Sequence, residues 1–245
     1  MSLKLQVFLA HAGIASRRKA EVLIEQGKVV VNGQRATIGQ RIDPRKDEVT
    51  VGGKPVQKKS EETYVLINKP RGIISTTDDE LNRKTVLSLV SEIKVRLYPV
   101  GRLDKDSEGL MLLTTDGELT FTFTHPSQHV EKTYEVLVQG KPTPKALNLL
   151  RSGVKLKEGF TKPAQVEIMR QLPNSTWLSI TISEGHNHQV RRMLFRVGYE
   201  TLRLIRTRMG PFTLEMLSGK QKRVLSAEEV RECLDQANLS VQSSG

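Results

Sequence analysis

The sequence predicts an α+β protein, with a small N-terminal domain and a larger domain that contains a mixed, mostly antiparallel sheet. Predicted strands outnumber predicted helices, and the two kinds do not alternate as they do in a repeating βαβ fold. Residues 52–62 (GGKPVQKKSEE) are rich in Gly, Pro and charge and poor in core residues, which is typical of a linker. We therefore expect one domain over residues 1–60 and a second over residues 61–245.

The first sixty residues predict two short helices followed by a β-hairpin. Apolar residues recur at helical spacing in the first helix, which ends at Gly13. Ser16 is a suitable N-cap for the second helix, which ends at Gly27. The pair Asn32-Gly33 follows a β-branched run and favours the positive φ angles of a type I′ hairpin turn.

The larger domain predicts a sheet with few helices. Tyr134, Val136 and Val138 alternate with Glu135 and Leu137, which is the pattern of a half-buried strand. Other apolar runs predict strands at 64–67, 110–114, 164–169, 177–183 and 202–209, with helices at 144–150 and 189–197. No internal repeat is visible in the sequence.

Charge is concentrated in the small domain. Lys and Arg total 38 against 27 Asp and Glu, a formal charge of +11, and residues 1–60 hold 12 of the basic and 5 of the acidic residues. Such basicity favours polyanion partners, either nucleic acid or an acidic membrane surface. The chain has no apolar run of about 18 residues and no secretory signal pattern, so we expect a soluble cytoplasmic protein.

Missing motifs exclude several classes of chemistry. The sequence contains no GxxxxGK[ST] phosphate loop, no GxGxxG dinucleotide motif and no GxSxG nucleophile elbow. His186 and His188 lack a third ligand, and Cys233 stands alone, so we predict neither a metal site nor an internal disulfide. We therefore expect acid chemistry by side chains, without a cofactor.

A polar loop over residues 100–110 (VGRLDKDSEGL) leads into a strongly apolar strand. Asp104 is the best candidate among its three acids, because Arg102 and Lys105 flank it and nearby cations favour an ionised carboxylate. An ionised aspartate is suited to act as a nucleophile at a sugar carbon or as a base at a heterocycle. We interpret the other two acids of the loop as turn-capping and solubilising residues.

Two further features are candidates for the same chemistry. Arg191 lies in EGHNHQVRRM (184–193), where a predicted strand leads into a basic helix, and a guanidinium can pair bidentately with a carboxylate. Tyr134 lies in KTYEV on a predicted strand. Most strand tyrosines only pack in a core, but a ring beside a nucleic-acid site can also stack on an unstacked base.

The N-terminal segment LQVFLAHAGIASRRKAEVLIEQGKVVVNGQ resembles the S4 RNA-binding domain, in order and over nearly its whole length. A basic helix face is otherwise more often a solvated surface. The resemblance implies a surface that holds structured RNA through its shape and phosphates, formed by Arg17, Arg18, Lys19 and Arg35.

The motifs NKPRG, GRLDKDSEGLMLLTTDGEL, KTYEV and EGHNHQVRRM occur in this order and resemble the pseudouridine synthases that modify ribosomal RNA and carry an S4 domain. The resemblance implies cleavage of the N1–C1′ bond of a uridine and its rejoining through C5, without cofactor or metal. The aspartate would attack C1′, add to C6 of the ring or assist elimination at the sugar, and the sequence leaves all three open. One departure is His186, where Arg or Lys commonly follows the Glu-Gly pair.

The resemblance also assigns roles to individual residues. It implies that Asp104 is the catalytic aspartate, that Tyr134 stacks on the target uracil, that Arg191 pairs with Asp104, and that Lys69 lines the same cleft. The remaining residues expected to contact RNA in this domain are Arg102 and Arg192. We therefore expect the Asp104 carboxylate and the Arg191 guanidinium to meet in one cleft with the Tyr134 ring at its wall.

Other functions stay open at this point. A non-catalytic S4-type RNA-binding or ribosome-assembly factor would need only the basic surface, whereas Asp104, Tyr134 and Arg191 favour an enzyme. A cofactor-free glycosidase would need a second suitable carboxylate, and none is convincing. The expected partner is ribosomal RNA or an assembling subunit, with 23S favoured over 16S, no membrane partner and a monomeric state.

Overall fold

The computed structural model describes residues 2–56, 62–77, 79, 81 and 83–239. Within the predicted linker, residues 57–61 lie outside the described residues. Contacts divide the chain into two compact units. The N-terminal unit runs to Glu62 and also includes the short segment Thr115–Gly117. The larger unit covers Thr63–Thr114 and continues from Glu118. The predicted boundary lay between residues 60 and 61.

The N-terminal unit packs two helices against short strands around one apolar core. Its elements are β1 (Leu3–Lys4), α1 (Leu5–His11), α2 (Arg17–Glu25), β2 (Val29–Val31), β3 (Gln34–Arg35), β4 (Arg41–Ile42), β5 (Val49–Val51) and β6 (Lys54–Pro55). The strands form the pair β1-β4 and a sheet in the order β3-β2-β5-β6. Ser16 caps α2 as predicted, because its Oγ accepts the Lys19 N–H at 3.2 Å. Asn32 and Gly33 have φ angles of 50° and 79°, the left-handed values that the predicted turn requires.

In its described residues, the larger unit is built on a nine-stranded sheet and a separate two-stranded hairpin. The eleven strands of the unit are β7 (Tyr64–Lys69), β8 (Tyr98–Pro99), β9 (Glu108–Thr114), β10 (Lys132–Gln139), β11 (Lys155–Leu156), β12 (Gly159–Phe160), β13 (Gln165–Gln171), β14 (Ser175–Ile182), β15 (Thr201–Met209), β16 (Phe212–Thr213) and β17 (Lys222–Leu225). The order is β13-β14-β10-β15-β9-β7-β17, with β8 on β9, β16 on β15, and β11-β12 as a separate hairpin. The β15-β9 pair is parallel and the other described pairs of this sheet are antiparallel, so the predicted α+β class is confirmed.

Helices cover both faces of this sheet. They are α3 (Gly117–Thr124), α4 (Pro144–Ser152), α5 (Gln189–Arg196) and α6 (Ala227–Gln236). In β9, Leu110 and Leu112 belong to the core under α3 and α6, whereas Met111 and Leu113 belong to the core under α4 and α5. Burial on both faces explains why β9 is a continuous apolar run and not an alternating one. None of the helices in the described ranges is long and apolar enough to span a membrane.

A glycine sets the close approach of β9 and β15. Gly109 has a φ of 103°, and a Cβ at this position would lie 2.3 Å from the Arg206 carbonyl oxygen. Any side chain here would force the two strands apart, because such a distance is far below van der Waals contact. Gly109 therefore brings the end of the polar loop against the middle of β15.

Candidate active site

A cleft of about 620 Å³ opens in the larger unit beside the polar loop that precedes β9. The loop forms one wall, and the segment after α3, the start of β10 and the loop into α5 form the others. Asp104, Tyr134 and Arg102 all line this cleft. Its volume lies within the range of small-ligand sites, roughly 300 to 1,000 Å³.

Hydrogen bonds on both sides of Asp104 fix its turn. The Leu103 N–H donates to Ser75 Oγ at 3.1 Å, and the Ser75 hydroxyl donates to the Leu103 carbonyl oxygen at 2.7 Å. The Ser107 N–H donates to the Asp104 carbonyl oxygen at 3.1 Å, and its hydroxyl lies 3.5 Å from the Asp104 carboxylate. The carboxylate is thus held at the cleft wall, with 27% of the Asp104 side chain exposed.

Lys69 lies beneath the loop and not in the cleft wall, which differs from the prediction. Its side chain is fully buried, and its ammonium donates to the carbonyl oxygens of Ser107 at 2.7 Å, Pro70 at 3.1 Å and Lys105 at 3.4 Å. Burial lowers the pKa of Lys69 to about 8, although the negative charge of Asp104 opposes this shift. Lys69 therefore ties the turn after Asp104 to the end of β7.

Tyr134 provides an aromatic surface in the cleft. It lies in β10, where it pairs with Ile180 of β14 on one side and with Arg206 of β15 on the other. Its side chain is 8% exposed and packs in the same core as Val136 and Leu204. Because the sheet holds it on both sides, Tyr134 presents the cleft with a ring in a fixed position.

The loop into α5 brings His188 to Asp104, a contact that the sequence analysis did not predict. His188 has a left-handed backbone with a φ of 50°, and its Nε2 lies 3.5 Å from Asp104 Oδ1. Gln189 is buried and holds the loop in place, because its Oε1 accepts the His186 N–H at 2.9 Å and its Nε2 donates to Glu184. The first turn of α5 is thereby fixed against the polar loop.

Arg191 reaches the polar loop, but not through the predicted pair with Asp104. Its Nη2 donates to the Asp106 carbonyl oxygen at 3.1 Å, and its Nη1 donates to the Thr201 carbonyl oxygen at 3.4 Å. Among the described residues, the basic side chain that lies within 4 Å of the Asp104 carboxylate is His188 instead. The predicted ion pair is therefore wrong for this structure, although Arg191 does hold the loop that carries Asp104.

Arg192 and Arg102 differ in their availability to RNA. Arg192 donates to both carboxylate oxygens of Glu158, at 2.9 and 2.8 Å, so an RNA phosphate would have to displace an existing ion pair. Arg102 is exposed at the cleft, where a phosphate has direct access. Among the described residues, no group of three His, Cys, Asp or Glu side chains is placed to hold a metal ion.

The cleft contains three cationic residues that were not predicted from the sequence, Arg206, Lys132 and Lys162, of which the first two are the more buried. Arg206 is 2% exposed, and its Nε donates to the Leu110 carbonyl oxygen at 2.8 Å. The Lys132 ammonium donates to the Val130 carbonyl oxygen at 2.8 Å, and burial, with the nearby Arg206 charge, lowers the pKa of Lys132 to about 8. The available signal was the alternation in β15, which puts Arg206 on the same face as the buried Leu204.

The basic residues predicted to bind RNA in the N-terminal unit lie on and beside α2. Arg17, Arg18 and Lys19 form its first turn, and Arg18 and Lys19 are exposed. Arg35 in β3 is exposed, and its Nη2 donates to the carbonyl oxygen of Gln26, the C-cap of α2. The four residues are therefore arranged along one short helix and the strand beside it.

Comparison with known families matches both units. Residues 3–49 match the model of the S4 domain. Residues 63–195, more than half of the chain, match the model of RNA pseudouridylate synthase.

Several proteins are similar in sequence to this chain over most of its length. The ribosomal large subunit pseudouridine synthase B of Bacillus subtilis is 41% identical over 93% of this chain and 94% of its own length. An uncharacterized RNA pseudouridine synthase of Aquifex aeolicus is 39% identical over 98% and 96%. The ribosomal large subunit pseudouridine synthase B of Pseudomonas aeruginosa is 37% identical over 89% of this chain and 58% of its own length. A crystal structure of a pseudouridylate synthase is 30% identical with a TM-score of 0.65, covering 94% of this chain and 99% of that one.

Proposed function

The chain belongs to the RNA pseudouridylate synthase family, and from this premise we propose that it isomerises a specific uridine of 23S ribosomal RNA, with Asp104 as the catalytic aspartate. It is an RNA pseudouridine synthase, an isomerase with an N-terminal S4 domain. The observation that carries the proposal is that Asp104 and Tyr134 line the same cleft.

The reaction rearranges one nucleotide and consumes nothing. The N1–C1′ bond breaks, the base turns, and a C5–C1′ bond forms, while C5 loses a proton and N1 gains one. Asp104 acts at C1′, at C6 or in an elimination at the sugar, and each role needs a carboxylate at the wall of the cleft. The exposed part of the Asp104 side chain is available for any of them.

The substrate base has to leave its helix before it enters the cleft. An extruded base loses its stacking partners, and an aromatic side chain in the site replaces part of that stacking. Tyr134 is the aromatic residue that we assign to this role, because it lines the cleft together with Asp104.

Arg191 and Lys69 act on Asp104 indirectly in this proposal. Arg191 donates to the carbonyl oxygen of Asp106, and Lys69 donates to that of Ser107. Together they hold the main chain just after Asp104, so that the carboxylate meets the substrate in one orientation. We therefore assign both as positioning residues.

The choice of RNA rests on the relatives and on charge. The relatives from Bacillus subtilis and Pseudomonas aeruginosa are named for the large ribosomal subunit, which favours 23S over 16S RNA. Arg17, Arg18, Lys19 and Arg35 supply phosphate contacts in the S4 domain, and Arg102 supplies one at the cleft. The substrate is ribosomal RNA, free or in an assembling subunit, bound by a monomer in the cytoplasm.

The test uses the full-length protein and RNA labelled with tritium at C5 of uridine. Because C5 loses its proton, isomerisation releases tritium, and chemical mapping of pseudouridine then locates the nucleotide. We expect release from 23S RNA and little from 16S RNA. Asp104→Asn should abolish release while RNA affinity stays near that of the wild type, and Asp106→Asn, an exposed acid of the same loop, serves as the control.

Three outcomes would contradict parts of this proposal. Release by Asp104→Asn at the wild-type rate would remove Asp104 from catalysis. Release from 16S RNA alone would change the substrate. RNA binding without release from either RNA would favour the non-catalytic S4-type factor.

A further inference from the structure

Arg206 lies at the centre of the sheet, between the two strands that carry the candidate site. In the antiparallel pair β10-β15 it is directly opposite Tyr134, and in the parallel pair β15-β9 it is opposite Gly109. Residues directly opposite in neighbouring strands project to the same face of a sheet. The Arg206 guanidinium is therefore a neighbour of the Tyr134 ring, and both line the cleft.

The guanidinium of Arg206 is buried without enough partners. Arg206 is 2% exposed, and its Nε donates to the Leu110 carbonyl oxygen at 2.8 Å. Its Nη2 is buried and has no hydrogen-bond partner among the described residues. None of the ion pairs of the described residues includes Arg206. A buried polar group without a partner is destabilising, so such groups usually have a functional reason or a missing ligand.

The surroundings of Arg206 add further positive charge. The charge of Arg206 contributes to the lowered pKa of both Lys69 and Lys132, although burial is the larger cause in each case. The Lys69 ammonium is already bound by three carbonyl oxygens, and the Lys132 ammonium by one. The cleft beside Arg206 thus favours a ligand that accepts hydrogen bonds and gains negative charge.

We propose that Arg206 is a further catalytic residue, which donates a hydrogen bond from its guanidinium to a carbonyl oxygen of the extruded uracil. The inference rests on the proposed function, because it takes a uridine of RNA as the occupant of the cleft. A uracil ring stacked on Tyr134 places its carbonyl edges within reach of the neighbouring guanidinium. The Arg206 guanidinium, which lacks a hydrogen-bond acceptor, then meets a carbonyl oxygen of uracil, which is one.

The same hydrogen bond stabilises the charge that develops in the reaction. When the C1′–N1 bond breaks, its electron pair stays with the base, and the negative charge spreads over N1 and the two carbonyl oxygens of uracil. The charge disappears when C5 bonds to C1′, C5 loses its proton and N1 gains one. A preorganised donor that meets such transient charge typically accelerates a reaction by about 10² to 10³.

The test combines substitutions at Arg206 with single-atom changes in the substrate. The substrates are ribosomal RNA fragments with uridine, 2-thiouridine or 4-thiouridine at the target position, because sulfur accepts hydrogen bonds more weakly than oxygen does. The variants are Arg206→Lys and Arg206→Gln, with Arg208→Lys as the matched control. Arg208 is on the same strand and donates to the Gly210 carbonyl oxygen at 2.8 Å.

We expect kcat to fall by about 100-fold in Arg206→Lys and to stay unchanged in Arg208→Lys. One of the two thio substitutions should slow the wild type, and the same substitution should have a much smaller effect in the Arg206 variants. If turnover by both Arg206 variants is too slow to measure, the affinities of the wild type and the variants for the three RNAs show whether the thio effect depends on Arg206. Thermal unfolding of each variant shows whether the fold is intact.

Three results would overturn the inference. If neither thio substitution slowed the wild type, an important contact with a uracil carbonyl oxygen would be excluded. Equal thio effects in the wild type and the variants would leave Arg206 as a structural residue of the sheet. If the thio effects were equal in the wild type and the variants, and RNA affinity depended less on salt in the variants, Arg206 would be assigned to a phosphate contact. Failure of the wild type to isomerise any uridine would instead contradict the proposed function itself.

Discussion

The Nε2 atom of His188 lies 3.5 Å from Oδ1 of Asp104, at a residue whose backbone is left-handed with a φ of 50°. This conformation costs roughly 1 kcal/mol for a residue other than glycine, and such costs concentrate at functional sites. The His188 side chain makes no capping hydrogen bond to α5, so the helix does not explain its position. His188 is therefore a partner of the Asp104 carboxylate.

Replacing His188 with Asn or Gly removes the imidazole and keeps a residue that tolerates the left-handed backbone. We expect kcat to fall by roughly fivefold, because a partly exposed contact between a basic side chain and a carboxylate contributes about 1 kcal/mol at most, while RNA affinity stays unchanged. His129→Asn is a close control, since His129 also has a φ of 50° but contacts Lys162 and not an acid. Equal losses in both variants would show that the contact with Asp104 is irrelevant.

Arg191 gives a second prediction about the polar loop. Arg191→Gln removes the charged donor to the Asp106 carbonyl oxygen, and such hydrogen bonds contribute about 1.5 to 3 kcal/mol. We expect kcat to fall by about 10- to 100-fold with little change in RNA affinity, and Arg191→Lys to recover part of the loss. Arg196→Gln, an exposed arginine in the last turn of the same helix, should keep wild-type kcat. A loss of affinity with normal kcat would instead assign Arg191 to RNA binding.

The local motifs of the sequence located most strands correctly, because each strand depends on a short stretch of chain. The same motifs drew attention to Asp104 and Tyr134, which line one cleft, while their roles in catalysis stay predictions. The glycine-rich polar loop and the apolar run of β9 are adjacent, so one motif located the loop and its strand together. Arg206 escaped notice because its meaning depends on register, which places it opposite Tyr134 across a distant strand pairing.

The errors at Lys69 and Arg191 have a common physical origin. Both were expected to serve the site through charge, and both instead bind main-chain carbonyl oxygens of the polar loop. A motif shows that a cation is near a loop, but it does not show whether the carboxylate or the main-chain carbonyl oxygens accept its hydrogen bonds. That choice depends on side-chain reach and on burial, which only the folded chain determines.

The partly buried ammonium of Lys132 predicts a stability that rises with pH. Its pKa is about 8 in the folded chain against an ordinary 10.5, so the unfolded chain binds more protons between these values. The free energy of unfolding therefore increases across this window, and the cost of burying the charge is fully present below about pH 8.

Lys132→Met removes this cost, so we expect the free energy of unfolding of the variant to exceed that of the wild type by about 1 to 2 kcal/mol at pH 7, after allowance for solvent screening. The difference should shrink as the pH rises through 8 toward 10.5, because the wild-type ammonium then loses its proton. Urea unfolding at pH 7 and pH 10 measures both values, with the exposed Lys155→Met as the control. A difference that does not change with pH would rule out the buried charge as its cause.

The basic first turn of α2 in the S4 domain should make RNA binding sensitive to salt. Arg17, Arg18 and Lys19 form the first turn of α2, and each phosphate contact that is lost reduces the slope of log affinity against log salt by roughly 0.7 to 0.9. A variant with all three residues changed to Gln should therefore bind ribosomal RNA more weakly, with a slope smaller by about 2 to 3. Its kcat at saturating RNA should stay near that of the wild type, because the Asp104 cleft is unchanged. Lys54→Gln, an exposed residue of β6 in the same domain, controls for general loss of charge. If the triple variant and this control change the slope equally per charge, the RNA is attracted by the overall charge of the domain and not held at α2.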